Sequence, residues 1–383
     1  MTTFEFHTTK SIVVERGSAA RLATHIADMN CQSVLVISDQ GVIGAGLLTA
    51  MLANIEQSDI AVSVYSEVVA DPPESVVERG ILAARAYRAD CIVGLGGGSS
   101  LDTAKLIALL GNSDQSLADV YGVDAAKGQR LPLVLIPTTA GTGSEVTGIA
   151  IVTTGENEKK GVVSPLLLPD IALLDAELTV GLPNHVTAAT GIDAMVHAIE
   201  AFTSKRLKNP ISDSLAKDAL RLLAANIQIV CQQGNNIQAR ENMLIGSCLA
   251  GMAFANAPVG GVHALAYPIG ALFHVPHGLS NALMLNAVMR FNLPEAESEY
   301  AELANVVFPT LQGSAQERAL ALINYLKDLA SELGIATSLR EVGIDEKDLT
   351  ALAEDAMKQA RLLINNPREI CLADAKALYK ESL

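Results

Sequence analysis

The chain is poor in cysteine and has no cysteine pair at metal-binding spacing. Its five, Cys31, Cys91, Cys231, Cys248 and Cys371, are scattered over 383 residues, odd in number and without a CxxC. That excludes a thiolate zinc site and a disulfide framework, and suits buried thiols in a reducing compartment. Positive charge is also scarce: 27 Lys and Arg face 42 Asp and Glu, a formal net charge of −15. Nucleic acid or an anionic membrane would be repelled. The opening MTTFEFHTTK lacks the basic-then-apolar layout of a signal peptide, so a cytoplasmic location is the expectation.

From Asn242 to Met289 there are 48 consecutive residues without Asp, Glu, Lys or Arg. A membrane span needs about 20 predominantly apolar residues. This run is interrupted by Ser247, Asn256, Pro258, His263, Pro268, His274, Pro276 and His277. It reads as helices buried on all sides of a core rather than as a span. Three of the chain's seven histidines lie in this uncharged interior.

What is present is a rhythm that changes once. Up to about residue 183, short apolar runs alternate with helical segments. The runs are SVLVIS (33–38), AVSVYS (61–66), CIVGLG (91–96) and LPLVLIP (131–137); the helical segments include 73–87 and 100–111. That is the pattern of a parallel sheet with crossover helices. After the turn-rich piece 164–183 the text turns to long helix-period segments. The expectation is an α/β domain over 1–183 and an all-α domain over 184–383.

Two loops follow apolar runs in the first half. In CIVGLGGGSSLDTAK (91–105), consecutive glycines let the backbone approach an anion while the following helix points free N–H groups at it. Ser99 and Asp102 have capping-box spacing there. The last glycine of GxGxxG is unfilled and no Gly-Lys-Ser/Thr follows, so this is neither of the two familiar phosphate loops. The second loop, PTTAGTGSE (137–145), offers small residues and hydroxyls. Two such loops favour an extended phosphate ligand. Asp39 closes the first long run, where a carboxylate accepts from an adenosine ribose and repels a 2′-phosphate, or simply caps a helix.

In the second half, Asp193 and His197 in ATGIDAMVHAIEAFTS (189–204) are four apart, on one face of a helix. His263 and His277 lie in the uncharged stretch, separated by Pro268, Gly270 and Pro276, which are expected to break the helix. One carboxylate and three imidazoles would suit Fe(II) or Zn and poorly suit Mg or Ca. The alternative is core histidines, each satisfied by a backbone carbonyl.

Four ordered segments carry a resemblance: GGGSSLDTAK, PTTAGTGSE, LPNHVTAATGIDAMVHAIEAF and VHALAYPIGALFHVPHGLSNAL. Over nearly its whole length the chain resembles the iron-containing, group III alcohol dehydrogenases. The resemblance implies the dehydroquinate synthase-like fold, with an NAD(P)-binding α/β domain, a helical domain, and a cleft between them for metal and substrate. It implies metal ligands at Asp193, His197, His263 and His277. Dinucleotide contacts would fall on Asp39, Gly97, Gly98, Ser99, Asp102, Thr138, Thr139, Thr142 and Lys160. Hydride transfer between a small alcohol or aldehyde and NAD, with NADP disfavoured, and a homodimer or higher homo-oligomer complete the expectation.

Two positions depart from the family pattern. Tyr267 stands where many members have a histidine thought to relay protons, and a phenol with an ordinary pKa of about 10 is a weaker relay. Asp71-Pro72 replaces the usual Asn-Pro and adds a negative charge. His274 is then a second candidate for proton transfer. Ile151, Phe254, Val259 and Tyr267 are candidates for a largely apolar substrate pocket. The rival functions are a lyase of the dehydroquinate synthase type, which needs a basic pocket, and a non-catalytic metal- or dinucleotide-binding assembly protein.

Overall fold

The structure, a computed structural model, describes residues 3–155 and 158–383. It divides into two compact units: His7–Leu182, and Pro183–Leu383 together with residues 3–6.

The first unit contains strands β1 (Ser11–Val14), β2 (Ser33–Asp39), β3 (Ala61–Val68), β4 (Cys91–Gly96), β5 (Gly122–Val123), β6 (Leu133–Pro137), β7 (Ile149–Thr154), β8 (Glu158–Val163) and β9 (Ile171–Leu174). Helices α1 (Leu22–Asp28), α2 (Gln40–Gly44), α3 (Thr49–Glu56), α4 (Glu74–Tyr87) and α5 (Gly98–Leu110) connect them. Six strands form one sheet in the order β1-β9-β6-β4-β2-β3, every neighbouring pair parallel. A smaller sheet runs β5-β8-β7.

The parallel sheet explains the apolar runs. Leu35 and Ile37 of β2, with Ile92 of β4, face one core cluster built with α4 and α5. Val34 and Val36, with Cys91, Val93 and Leu95, face a second cluster built with α1 and α3. Successive side chains point to opposite faces, and both faces are covered, so the strands are apolar throughout. Each fully buried Leu, Ile or Val contributes about 1.5–3 kcal/mol.

Five strands, β1, β5, β7, β8 and β9, are not among the apolar runs quoted from the sequence. β9 lies inside the segment read as turn-rich and is inserted between β1 and β6. The order places β3 and β4 on opposite sides of β2, so the chain reverses direction across the sheet between β2 and β4. Ligands of open parallel sheets bind at the carboxyl ends of strands at such a point.

The second unit contains no strand among the described residues. Its main helices are α6 (Asn184–Thr203), α7 (Pro210–Gln232), α8 (Ile237–Asn256), α9 (Gly261–Phe273), α10 (His277–Val307) and α11 (Ala315–Glu332). Contrary to the expected break at Pro268 and Gly270, α9 runs through both. It stops at His274, which takes a left-handed conformation (φ 56°) just ahead of the Val275-Pro276 pair. A residue before proline avoids helical backbone, which places the break there. No single described helix is long and apolar enough to cross a membrane; α8 and α9 pass only as a pair bent by 105°.

Candidate dinucleotide and metal sites

In the first unit, three sequence-predicted features come together because β2, β4 and β6 are adjacent and parallel. Asp39 ends β2, Gly97–Ser99 follow β4, and Thr138–Thr142 follow β6. The two loops interlock. Thr138 N donates to Gly96 O at 2.9 Å. A Cβ on Gly98 would lie 2.7 Å from Thr142 Cγ2, closer than side chains approach, so any larger residue there must displace Thr142.

Helix α5 starts at Gly98, two residues earlier than a Ser99 cap allows. Its N-cap is Gly97, with no side-chain cap bond. The capping-box expectation at Ser99 and Asp102 therefore does not hold: Ser99 lies inside the first turn. The first-turn N–H groups of α5 lack a side-chain acceptor, which is the arrangement that receives a phosphate.

The helix-cap reading of Asp39 holds. Its Oδ1 accepts from Val42 N (3.0 Å) as the cap of α2, and its Oδ2 accepts from Ser100 Oγ (3.1 Å). Asp71 sits at φ 51° and pairs with Lys159 Nζ at 2.5 Å. The negative charge expected from Asp71 is thus offset by a neighbouring ammonium. Lys160 is exposed, 3.6 Å from Glu158 Oε2 and 5.8 Å from the centroid of the Tyr121 ring.

Asp102 is held on both oxygens. Oδ1 accepts from Ser144 Oγ (2.6 Å) and Lys105 Nζ (3.3 Å), and Oδ2 accepts from Ile151 N (3.0 Å). Lys105 is fully buried. Burial pulls its ammonium below the usual lysine range against the opposing pull of Asp102 and Glu145. Burial pushes the Glu145 carboxyl up to about 7.

In the second unit, Asp193, His197, His263 and His277 each offer one donor atom, and all four lie within 4.8 Å of one another. Three helices supply them: α6 gives Asp193 and His197, α9 gives His263, and α10 gives His277 at its first residue. Gly278 permits the approach of α10 to α6, since a Cβ there would fall 2.5 Å from Ala189 O. Asp193, His197 and His263 are buried, while the His277 side chain is 40 % exposed. The fourth donor is therefore the one that borders solvent.

Two residues the sequence reading missed complete this cluster. Glu200 Oε1 accepts from Val262 N at 2.7 Å, and its Oε2 lies 2.6 Å from His263 Nδ1. A carboxylate there fixes the proton on Nδ1, leaving the Nε2 lone pair free to ligate. That Nε2 lies 3.0 Å from His197 Nε2. Asn281 Nδ2 donates to Asp193 Oδ1 at 2.6 Å and lies 3.2 Å from Nε2 of both His263 and His277. The one sequence signal for Glu200 is its place at i+7 from Asp193 on the same helix stripe, which any helix glutamate there would share.

Burial works against the Asp193 carboxylate, yet the three imidazoles and the Asn281 amide hold it below the usual carboxylate range. The donor set, one carboxylate oxygen and three imidazole nitrogens, fits a borderline divalent ion. So does the electrostatics: two imidazole lone pairs cannot face each other at 3.0 Å without a proton or cation between them. Asn281 Oδ1 is buried without a hydrogen-bond partner beside this cage.

Around it, the Phe254 ring stacks on His197 (centroids 4.3 Å, 21°). The Tyr267 ring lies 6.4 Å from that of His263 and 5.8 Å from that of His277. His274 is exposed at the C-cap of α9 and is not one of the four gathered donors.

Comparison with known proteins covers both units. The profile described as "Iron-containing alcohol dehydrogenase" matches residues 9–176, and "Fe-containing alcohol dehydrogenase family, C-terminal" matches 187–383. The chain is 39 % identical over 368 residues to long-chain-alcohol dehydrogenase 1 of Geobacillus thermodenitrificans, covering 95 % of this chain and 93 % of that one. A crystal structure of 1,3-propanediol oxidoreductase matches with TM-score 0.96 and 32 % identity over the whole of both chains. Sulfoacetaldehyde reductase from Bifidobacterium kashiwanohense, in complex with NAD+, matches with TM-score 0.90 and 28 % identity over 100 % of this chain and 99 % of that one.

Proposed function

We propose that this chain, which belongs to the iron-containing alcohol dehydrogenase family and is an oxidoreductase acting on alcohols, binds Fe(II), or alternatively Zn, at Asp193, His197, His263 and His277, and NAD in preference to NADP at the two loops. The convergence of those four donors within 4.8 Å carries the reading. A divalent ion held there supplies Lewis-acid stabilisation of the negative charge that builds on an alcohol oxygen as its carbon gives a hydride to the nicotinamide.

The chain's own residues do the rest. Glu200 holds the His263 tautomer, and Asn281 holds the Asp193 carboxylate. Gly97, Gly98 and Ser99 present backbone N–H groups to the pyrophosphate, with Thr138, Thr139 and Thr142 facing them from the second loop and Asp102 behind. Asp39, a fixed carboxylate, accepts from the adenosine ribose and repels a 2′-phosphate. Lys160 would supply an ammonium to the nicotinamide ribose.

Tyr267, whose ring lies beside those of His263 and His277, would donate a hydrogen bond to the substrate oxygen, and His274 would shuttle the alcohol proton. Phe254, Val259 and Tyr267 give the helical unit a largely apolar surface for the substrate, so aliphatic alcohols from short diols to long chains are the class proposed. Five free cysteines suit a cytoplasmic setting. A homo-oligomer belongs to the same reading and is tested by light scattering.

The experiment is a panel of alcohols with NAD and with NADP on metal-analysed protein, followed by absorbance of the reduced nicotinamide. NAD reduction by at least one aliphatic alcohol is expected. No reduction at any metal loading would sink the proposal.

A further inference from the structure

Lys105 stands out as a buried charge that the proposed chemistry does not use. It is completely shielded, and its ammonium has three acceptors: Asp102 Oδ1 at 3.3 Å, Thr147 Oγ1 at 3.1 Å and Ile149 O at 2.7 Å. Those acceptors come from three places: α5, the end of the second loop, and β7. Asp102 repeats the pattern, binding Ser144 Oγ of the second loop and Ile151 N of β7. A methionine of similar length would fill the same space with no ammonium to desolvate, so for stability alone the charge is a poor choice. What the charge adds is direction, since it points Asp102 and fixes its register against the second loop.

We propose that Lys105 is a positioning residue for the dinucleotide: acting through Asp102, it locks the helix behind the glycine loop to the second loop and sets the separation of the two halves of the cradle. This rests on the reading that the two loops hold NAD. The interlock of Gly98 with Thr142 shows how little latitude that separation has. Glu145, adjacent to Ser144 and buried, is the second carboxyl in the pocket; with burial favouring its neutral form, the ammonium remains matched to Asp102.

The test measures NAD and NADH affinity on the full chain; NADH fluorescence is clean because the protein has no tryptophan. Lys105→Met should weaken NAD binding about tenfold or more, the scale of a lost hydrogen bond to a charged group. Its metal affinity should stay at the wild-type value. In an Asp102→Asn background the same change should cost less than about twofold, because a residue acting through Asp102 has nothing left to position. Should Lys105→Met fail to fold by thermal melting, Ser144→Ala carries the test, with an expected loss of about threefold. NAD binding within twofold of wild type in the folded variants, or fully additive losses with Asp102→Asn, overturns the inference alone. A wild-type chain that binds no NAD overturns the reading of the loops and the inference with it.

Discussion

The two units solve the problem of holding a charged group in opposite ways. In His7–Leu182 the candidate ligand surface is mostly backbone: glycines and threonines at the ends of β4 and β6, with the side-chain charges of Asp102 and Lys105 turned inward onto each other. In Pro183–Leu383 it is side chains, one carboxylate and three imidazoles drawn from three helices and braced by Glu200 and Asn281. A backbone cradle suits a polyanion, which needs many weak donors spread along its length. A side-chain cage suits a compact cation, which needs a few strong donors at one point.

The comparison breaks most severely if the cage is not essential. His263→Ala should lower the rate of NAD reduction at least about a thousandfold, several kcal/mol of transition-state stabilisation. NAD affinity should change little, because the cradle does not use that residue. Steady-state rates and NAD titration on the same preparation check both halves. Glu200→Gln tests the brace: it keeps the shape and loses the charge on His263 Nδ1, and metal affinity should fall about 10- to 100-fold. A chelator-competition titration reads this, and an unchanged affinity would remove Glu200 from the account.

On the cradle side, Gly98→Ala pushes a methyl into Thr142 and should weaken NAD about tenfold while leaving metal stoichiometry at the wild-type value. Isothermal titration with NAD and metal analysis settle whether the two losses separate. If Gly98→Ala also empties the cage, the two functions are not divided as described.

The remaining prediction concerns stability. The Glu145 carboxyl holds its proton more tightly in the fold, about 7 against an ordinary 4.5. Its stabilisation is therefore fully present below about pH 4.5 and lost as pH rises through about 7, a change of about 3 kcal/mol. Glu145→Gln should flatten the fall in melting temperature between about pH 5 and pH 8. Parallel pH profiles of the two proteins would count against a buried, proton-bearing Glu145.

How much of this was legible in the sequence follows the same division. The buried parallel strands were readable because both faces need apolar side chains, and SVLVIS and CIVGLG leave little else to be. β1 and β9 were not, since four residues such as Ile171–Leu174 become a strand only by pairing with partners far along the chain. The four donors were visible as residue types at suggestive spacing. Their braces were not, because Glu200 looks like any helix glutamate until α9 is seen packed over it. The start of α5 was misread for a similar reason: Ser99 has a cap's spacing, but the close packing of Gly98 on Thr142 starts the helix at Gly98. Pro268 was expected to end a helix that in fact continues to Phe273. Burial of α9 among its neighbours outweighed one missing N–H.

The central claim is that the Asp193–His197–His263–His277 cage holds the ion on which alcohol oxidation depends. Stepwise removal of metal by a chelator, with metal content and the rate of NAD reduction measured on each sample, tests it most directly. The account predicts that rate falls in proportion to metal and returns when Fe(II) or Zn is restored. A rate that persists after the metal is gone would contradict it.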